Sequence, residues 1–327
     1  MENGGAIAIR GFNYQKSIAS LIAILNYKKE NFEIFVENKD DIEVVINGFK
    51  TFIQVKGKKL SINSLLNIDN KSKESILSKN IKKGDENSRY KIVTLDSFVV
   101  KDKNDLIPKK GEIFQENIFT YSQPQIELII KSLEKQGFSK DELINKLKDC
   151  YIYFSPFKND QNQAIAFLIG KMTENDLKVD GNAGRIALNE LFTQIDTKSE
   201  IIVQEDECDN DCKKITSSDL VNIFKATELF EIEENILEEV SKKYNFDFLK
   251  KRKIKRHSLE IISIHKSLKI DIMNSIGNID LQLDTPLIDI FSISYKKIEN
   301  KKDNKISEDL LFAIVINILA EKIYKET

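Results

Sequence analysis

Asp41, Gln54, Val55 and Lys56 carry the groups that metal-assisted hydrolysis of a phosphodiester requires. The Asp41 carboxylate, the Gln54 side-chain carbonyl and the Val55 backbone carbonyl are hard oxygen ligands, which Mg²⁺ or Mn²⁺ prefers. Such an ion clamps a phosphate group and lowers the pKa of a bound water molecule. The Lys56 ammonium group can orient that water and neutralise the charge that develops on the phosphate. These residue types therefore predict a metal-dependent hydrolytic site.

A β-hairpin would bring these residues together. Asn47-Gly48 is the strongest local signal for a two-residue hairpin turn, and it separates two β-like runs. This turn sets Asp41 opposite Gln54, and directly opposed Cβ atoms lie roughly 4.5–5.5 Å apart. Because side chains alternate between the faces of a strand, Lys56 shares the face of Gln54, and the other face is apolar. Alternating polar residues on a half-buried hairpin are also common without any function, so a plain solvated face is the alternative.

Two further polar residues are candidate supports for this site. Glu37 precedes Asp41 by four residues across a short turn, and Gln15 lies on the helix that opens the fold. Either side chain supplies an oxygen atom that can bind a metal ion or hold its water. Glu37 is therefore a candidate metal ligand and catalytic residue, and Gln15 is a candidate supporting residue.

The rest of the N-terminal sequence predicts strands interspersed with helices. Apolar residues at three- and four-residue spacing indicate an amphipathic helix over 13–27, entered through a small-residue stretch at 4–11. A capping box formed by Ser139 and Glu142 opens another helix. Further strands are expected at 33–37, 90–95 and 151–155, and further helices at 73–81, 125–136, 161–171 and 183–195. This pattern indicates an α/β or α+β core.

After Ser217 the chain is dominated by helical periodicity, so we predict two regions, 1–216 and 217–327. A length of 327 residues is consistent with about two domains. The last helix is expected to begin near Glu308 with Ser307 as its N-cap. Its middle is apolar almost all round, which predicts burial in its own core or against a partner.

Composition and motifs exclude several classes of protein. The longest apolar run, 310–320, is interrupted by Asn317 and is shorter than the roughly 20 residues of a membrane span, and no secretory signal is visible. Three cysteines argue against a disulfide framework and favour a reducing, cytoplasmic location. Cys208 and Cys212, in an acidic stretch at 205–211 expected to be an exposed loop, have the spacing of two zinc ligands but lack another pair. No phosphate-binding loop is present, so any use of ATP is expected of another subunit.

Net charge does not identify a nucleic-acid-binding protein. The 50 Lys and Arg residues against 52 Asp and Glu residues give −2, so a DNA-binding prediction depends on local residues. Lys58 and Lys59 follow the hairpin directly and are placed to meet DNA near Asp41. Lys251 and Arg252 belong to a dense basic cluster that either grips phosphates or forms a solvated helix end.

Three segments together resemble a known family: RGFNYQ at 10–15, ENKDDI at 37–42 and IQVK at 53–56. They are similar to the N-terminal nuclease domain of the dsDNA endonuclease effectors of bacterial CBASS and Lamassu antiphage systems, which belong to the PD-(D/E)xK superfamily. The order of helix, acidic residue, hairpin and (D/E/Q)-x-K matches the core of that superfamily. The resemblance implies a restriction-endonuclease-like α/β core, with a mixed sheet flanked by helices, followed by the mostly helical C-terminal region.

On this resemblance Asp41 takes the place of the motif's aspartate, Gln54 that of its second acidic residue and Lys56 that of its lysine. Glu37 and Gln15 match further polar positions of the effector family. Gln54 departs from the superfamily pattern, in which Asp or Glu is usual, although glutamine is similar to what these effectors carry. A neutral ligand leaves the compensation of metal charge to Asp41 and Glu37.

The resemblance also implies a function: a Mg²⁺-dependent endonuclease that degrades double-stranded DNA as an antiphage effector. The chain is most similar to the nuclease subunit of Lamassu, because the region after Ser217 is short for the sensor domain of a CBASS effector. This implies an SMC-like ATPase partner and a further small subunit, which hold the enzyme inactive through the C-terminal helices, and a homo-oligomer when active. The alternatives are a non-catalytic DNA-binding or scaffolding subunit, which Gln54 leaves open, a nucleotide-signalling CBASS effector, and a restriction enzyme, for which no base-reading module is visible.

Overall fold

The computed structural model describes residues 4–37, 40–95, 100–177, 181–202, 210–261, 265–277, 286–302 and 306–326. The chain divides into a first unit, Met1–Phe224, and a second unit, Lys225–Thr327. The division falls within one long helix, Ser217–Lys243, slightly later than the boundary predicted at 216/217.

The first unit combines strands and helices. Its elements are α1 (Gly4–Asn26), β1 (Phe32–Val36), β2 (Ile42–Ile46), β3 (Phe49–Lys56), α2 (Ile62–Leu66), α3 (Ile76–Ile81), β4 (Arg89–Leu95), α4 (Val100–Asn104), β5 (Ile107–Lys109), β6 (Ile118–Thr120), α5 (Gln123–Glu134), α6 (Lys140–Leu147), β7 (Cys150–Ser155), α7 (Gln161–Glu174), α8 (Gly181–Glu200), β8 (Lys214–Thr216) and the first turns of α9 (Ser217–Lys243). The second unit contains the rest of α9, α10 (Phe248–Ile261), α11 (Lys266–Ile276), α12 (Leu287–Lys296) and α13 (Glu308–Glu326).

The described strands form one mixed sheet in the order β5-β6-β7-β4-β3-β2-β1-β8. β3 and β7 run parallel to β4, which lies between them, and the other neighbours pair antiparallel. A mixed sheet flanked by helices, followed by a helical C-terminal region, confirms the predicted fold class.

Both faces of the sheet are covered. Side chains of alternating position, such as Ile53 and Val55 of β3, pack into a core with α1, α7 and α8. The opposite face buries Phe52 of β3 and Tyr90 of β4 in a second core with α2, α3, α5 and α6. The polar face of the predicted hairpin is therefore not an open solvated surface, because it continues into this second core.

Several elements differ from the sequence prediction. α1 begins at Gly4 rather than at Asn13. The small-residue stretch at 4–11, which was expected to precede the helix, is itself helical and mostly exposed. β5, β6 and β8 were not predicted, since three-residue strands leave no periodic signal. The predicted zinc-ligand candidate Cys208 and most of the predicted acidic loop lie outside the described residues.

The second unit is built around its last helix. The hydroxyl oxygen of Ser307 accepts a hydrogen bond from the Leu310 N–H at 3.1 Å, which confirms the predicted N-cap. Every residue from 310 to 320 is buried, and the apolar ones pack with α9, α10, α11 and α12 in a core of this unit. No described helix has the length and apolar character of a membrane span.

Candidate active site

A tight turn sets the register of the hairpin that carries the candidate residues. Asn47 and Gly48 both have positive φ, 50° and 82°, as a two-residue turn of this kind requires. Ile46 pairs with Phe49, and the ladder ends at the pair of Ile42 and Ile53. This is the register that the sequence predicts, and it brings the start of β2 beside the end of β3.

Asp41 is fixed at that end of the hairpin by two contacts with β3. Its Oδ2 accepts a hydrogen bond from the Val55 N–H at 2.7 Å and lies 3.4 Å from the Lys56 Nζ. The Asp41 side chain is mostly buried, whereas 28% of the Lys56 side chain is exposed. The structure therefore joins a carboxylate and an ammonium group at a site that solvent reaches from the lysine side.

Gln54 directly precedes Val55 and Lys56 in sequence and is buried. It shares a face of β3 with Lys56, because side chains alternate along a strand. Val55 points to the opposite face, where its side chain is part of the core with α1. Only the backbone of Val55 is thus available as a ligand, as the sequence analysis expects.

Glu37 and Gln15 converge with Asp41. All three residues line one small cavity, together with Phe12 and Lys16 of α1. The Glu37 N–H donates to the Asp41 carbonyl at 3.1 Å, which closes the short loop between β1 and β2. Gln54 and Lys56 do not line this cavity, and Lys56 is joined to it through its ion pair with Asp41.

The electrostatics of this cavity disfavour negative charge in the absence of a cation. Burial raises the pKa of Glu37, and the neighbouring Asp41 charge raises it further, while Lys213 and Lys56 act in the opposite direction. Glu37 also has a positive φ of 48°, and the ammonium group of the buried Lys213 donates to its backbone carbonyl. Lys213 was not predicted, because it precedes β8, which carries no periodic signal.

Asp40 is a second residue that the sequence analysis missed. Its carboxylate accepts hydrogen bonds from the Asn80 side-chain amide at 2.7 Å and from the Asp41 N–H at 3.0 Å. Asn80 also donates to the Phe52 carbonyl at 3.1 Å, so Asp40 connects the loop to both α3 and β3. Burial raises the pKa of Asp40 to about 6. The sequence signal for Asp40 is its position next to Asp41, but the sequence alone does not distinguish an aspartate that supports the loop from one that could bind a metal ion. The hydrogen bonds in the structure make that distinction.

The donor set at this site fits a hard divalent cation. The carboxylate oxygens of Glu37 and Asp41 and the amide oxygen of Gln15, which line this cavity, are ligands of the type that Mg²⁺ prefers, whereas Gln54 does not line it. A cation would also counter both causes of the raised pKa of Glu37, which are first its burial and then repulsion by Asp41. Within the described part of the chain, no group of three or more His, Cys, Asp and Glu residues is arranged to hold a metal ion. Neutral oxygen ligands would therefore have to complete the coordination.

The predicted DNA-binding residues lie in two different settings. Lys58 and Lys59 are exposed directly after β3. Lys251, in the second unit, forms an ion pair with Glu238 at 2.9 Å, whereas the side chain of Arg252 is exposed. The basic cluster on α10 is thus partly compensated by acidic partners.

Comparisons with known proteins bear on this site. The family model "Cap4, dsDNA endonuclease domain" matches residues 3–199, a range that contains Gln15, Glu37, Asp41, Gln54 and Lys56. The Lamassu protein LmuA from Bacillus sp. (strain NCIM 5461 / CCTCC AB 2011126 / NIO-1130) is 36% identical over 270 residues, which are 82% of this chain and 82% of that protein.

Among solved structures, the Cap4 SAVED/CARF-domain containing receptor of Moraxella osloensis aligns with 58% of this chain at 13% identity and a TM-score of 0.35. The aligned region is 43% of that receptor. A TM-score this low does not establish a shared fold.

Proposed function

Because the chain belongs to the Cap4 dsDNA endonuclease domain family, we propose that it is a Mg²⁺-dependent endonuclease that cleaves double-stranded DNA in bacterial antiphage defence. The observation that carries the proposal is the Asp41–Lys56 pair at the end of the hairpin, with Glu37 and Gln15 in one cavity with Asp41. The similarity to the Lamassu protein LmuA supports a Lamassu-type system rather than a CBASS-type one.

The residues at the hairpin end have distinct roles in this proposal. A Mg²⁺ ion held by Asp41, Gln54, Glu37 and the Val55 carbonyl would supply a Lewis acid and activate water. The Val55 N–H fixes one oxygen of Asp41, so the carboxylate keeps one orientation while its other oxygen is available. Lys56 orients the attacking water and stabilises the negative charge on the phosphate as the bond to the leaving oxygen breaks.

The test is cleavage of plasmid and linear double-stranded DNA with Mg²⁺, with Mn²⁺ and with a chelator. Asp41→Asn keeps the shape of the side chain but removes its charge, and Lys56→Ala removes the ammonium group. Lys50→Ala is the matched control, because Lys50 lies on the same strand and the same face, at the far end of the hairpin. We expect cleavage that needs the metal, is lost in the first two variants and persists in the control.

A non-catalytic DNA-binding subunit is the second candidate, and the neutral Gln54 favours it. Intact DNA binding without cleavage, in every metal and with every partner protein present, would establish this candidate instead. Gln54→Glu then becomes informative, since restoring the usual acidic ligand would restore cleavage only if the rest of the site is competent.

Partner control is the remaining part of the proposal. The second unit exposes large apolar side chains, among them Phe248 and Leu249 at the start of α10 and Ile293 on α12. Contiguous exposed apolar side chains mark surfaces that bind other proteins, and Phe248 and Leu249 are neighbours in the chain. We assign this surface to an SMC-like ATPase and a small subunit that hold the nuclease inactive, and we assign activation to the assembly of several copies.

Inhibition by partner proteins is tested by reconstituting the chain with the proteins of the same operon. Phe248→Glu is expected to weaken the complex and to release DNA cleavage without infection, whereas Ile68→Glu, at an exposed apolar position of the first unit, leaves inhibition intact. Full cleavage by the isolated wild-type monomer, unaffected by added partners, would contradict partner control.

A further inference from the structure

The first unit contains a cleft that the proposed chemistry does not use. It lies between the first half of α1 and the start of α7 and has a volume of about 390 Å³. Its lining combines apolar side chains with polar ones, among them Arg10, Asn13, Lys158, Asn159 and Gln161. This volume is in the range of sites that hold a small molecule or a segment of a larger one, and it exceeds what a single ion requires.

One hydrogen bond connects the cleft to the candidate active site. The Asn159 side-chain amide donates to the carbonyl of Gly57 at 3.2 Å, and Gly57 directly follows Lys56. The two residues are so close that a Cβ atom on Gly57 would lie 2.4 Å from the Asn159 Nδ2. The wall of the cleft is therefore in contact with the strand end that carries the lysine.

The charge of the cleft is available for a ligand. Arg10 and Lys158 are exposed, and within the described part of the chain neither side chain has an ion pair or a hydrogen bond. The nearby Lys16, in contrast, is paired with Asp196 at 2.9 Å. The carboxylate in the lining, Asp160, accepts the Gln163 N–H at 2.9 Å as the N-cap of α7.

A buried aromatic pair supports the floor of the cleft. Tyr14 is buried and packs edge to face against Phe157, with ring centroids 6.0 Å apart. The Tyr14 hydroxyl oxygen is itself enclosed, so the groups that the cleft offers a ligand are its cations and side-chain amides.

We infer that this cleft, the Arg10–Lys158 cleft, binds the sugar-phosphate backbone of the DNA substrate and positions the scissile phosphate at Lys56. The inference rests on the proposed function. The exposed side chains of Arg10 and Lys158 and the nearby amide groups are donors for phosphate and sugar oxygens, and such contacts fix the register of a duplex without reading its sequence. The Asn159–Gly57 hydrogen bond connects this binding surface to the end of β3, which carries Lys56.

The test separates binding from cleavage by using Asp41→Asn in the full chain as the parent. Affinity for a short duplex is measured by fluorescence anisotropy over a series of salt concentrations. Arg10→Ala and Lys158→Ala are each expected to weaken binding by about fivefold to tenfold and to reduce the salt slope by about one. Arg10→Lys should restore most of the affinity, and Lys131→Ala, an exposed lysine on α5, should change nothing.

The outcomes distinguish this inference from the proposed function. Equal affinities and salt slopes in the cleft variants and the parent overturn the inference, as does a parent that does not bind duplex DNA. The same substitutions in the wild-type chain should raise the KM for DNA. If the wild-type chain does not cleave DNA while the cleft variants still lose affinity, the cleft stands as a DNA-binding site and the catalytic proposal fails.

Discussion

The two units of the chain bury polar side chains in different ways. In the first unit, Asp40, Asp41 and Gln54 gather at one strand end, where backbone N–H groups and Asn80 supply hydrogen bonds. In the second unit, Glu233 of α9 is buried among packed helices, and the Asn317 amide of α13 donates to it. The first arrangement brings reactive groups beside a cavity, whereas the second places one carboxyl group among packed helices.

This difference shows what each unit can do with a buried charge. At the strand end, exposed lysines and a cavity give a cation or a phosphate access to the carboxylates. In the helical core, ionisation of Glu233 has to be supported by the protein alone, so its main effect is on stability. Substitutions at the strand end should therefore change activity, and substitutions in the helical core should change folding.

The largest expected effect is on cleavage. Lys56→Ala should lower the rate of Mg²⁺-dependent DNA cleavage by about 10²–10³-fold, the usual effect of removing one group that stabilises transition-state charge. The free energy of unfolding should change by less than about 1 kcal/mol, because the Asp41–Lys56 pair is partly exposed. Cleavage assays and urea unfolding measure the two quantities. A large loss of stability with normal cleavage would show that the Asp41–Lys56 pair is structural rather than catalytic.

Core packing in the second unit should give the opposite result. Ile314 of α13 is fully buried, so Ile314→Ala should lower the free energy of unfolding by about 2–5 kcal/mol. Binding of the first unit to duplex DNA should persist wherever the variant remains folded. Urea unfolding with a conservative Ile314→Val control tests this, and an effect as small as that of the control would show that α13 is not the centre of this core.

The buried carboxyl group should make stability depend on pH. Burial raises the pKa of Glu233 from its ordinary value of 4.5 to about 7, against the opposing effects of Asn317, Lys269 and Ser258, while Glu321 adds to the increase. The folded state therefore binds the proton more tightly than the unfolded state. The contribution of protonated Glu233 to the free energy of unfolding is fully present below pH 4.5 and is lost as the pH rises to about 7.

Glu233→Gln should remove this loss. We expect the variant to be more stable than the wild-type chain by about 3 kcal/mol at pH 8 and to differ little near pH 4.5. Asp40, with a pKa of about 6, makes the stability of the first unit fall with rising pH as well. Both chains contain Asp40, so the difference between their free energies of unfolding isolates the effect of Glu233. Parallel stability curves for the two chains across this pH range would refute the prediction.

The smallest expected effect compares the two basic segments. Lys58→Ala and Lys59→Ala should each weaken duplex binding by about fivefold, since both side chains are exposed beside the strand end. Lys251→Ala should have less effect, because the Glu238 carboxylate already compensates its charge, and Arg252→Ala provides the comparison within α10. If substitutions in both segments weaken DNA binding equally, DNA also contacts the second unit.

Much of the fold and of the candidate site follows from local patterns in the sequence. The Asn47-Gly48 turn and the alternation of side chains predict the hairpin register that the structure shows. The position of Asp41 beside the end of β3 follows from that register, as does the placement of Gln54 and Lys56 on one face. The cap of the last helix and its burial follow from Ser307 and the apolar sequence after it. These features depend on neighbours in the chain, so a pattern of a few residues is enough to predict them.

Contacts between distant segments required the tertiary structure. The donation from Lys213 to Glu37, the Asn80–Asp40 bond and the Asn159–Gly57 bond each join residues that are far apart in sequence. No periodicity encodes such pairs, because they arise only when the sheet brings separate loops together. The sequence by itself therefore determined which groups could do chemistry on the hairpin. The tertiary structure decided which other groups surround them, since burial and partner geometry are properties of the packed chain.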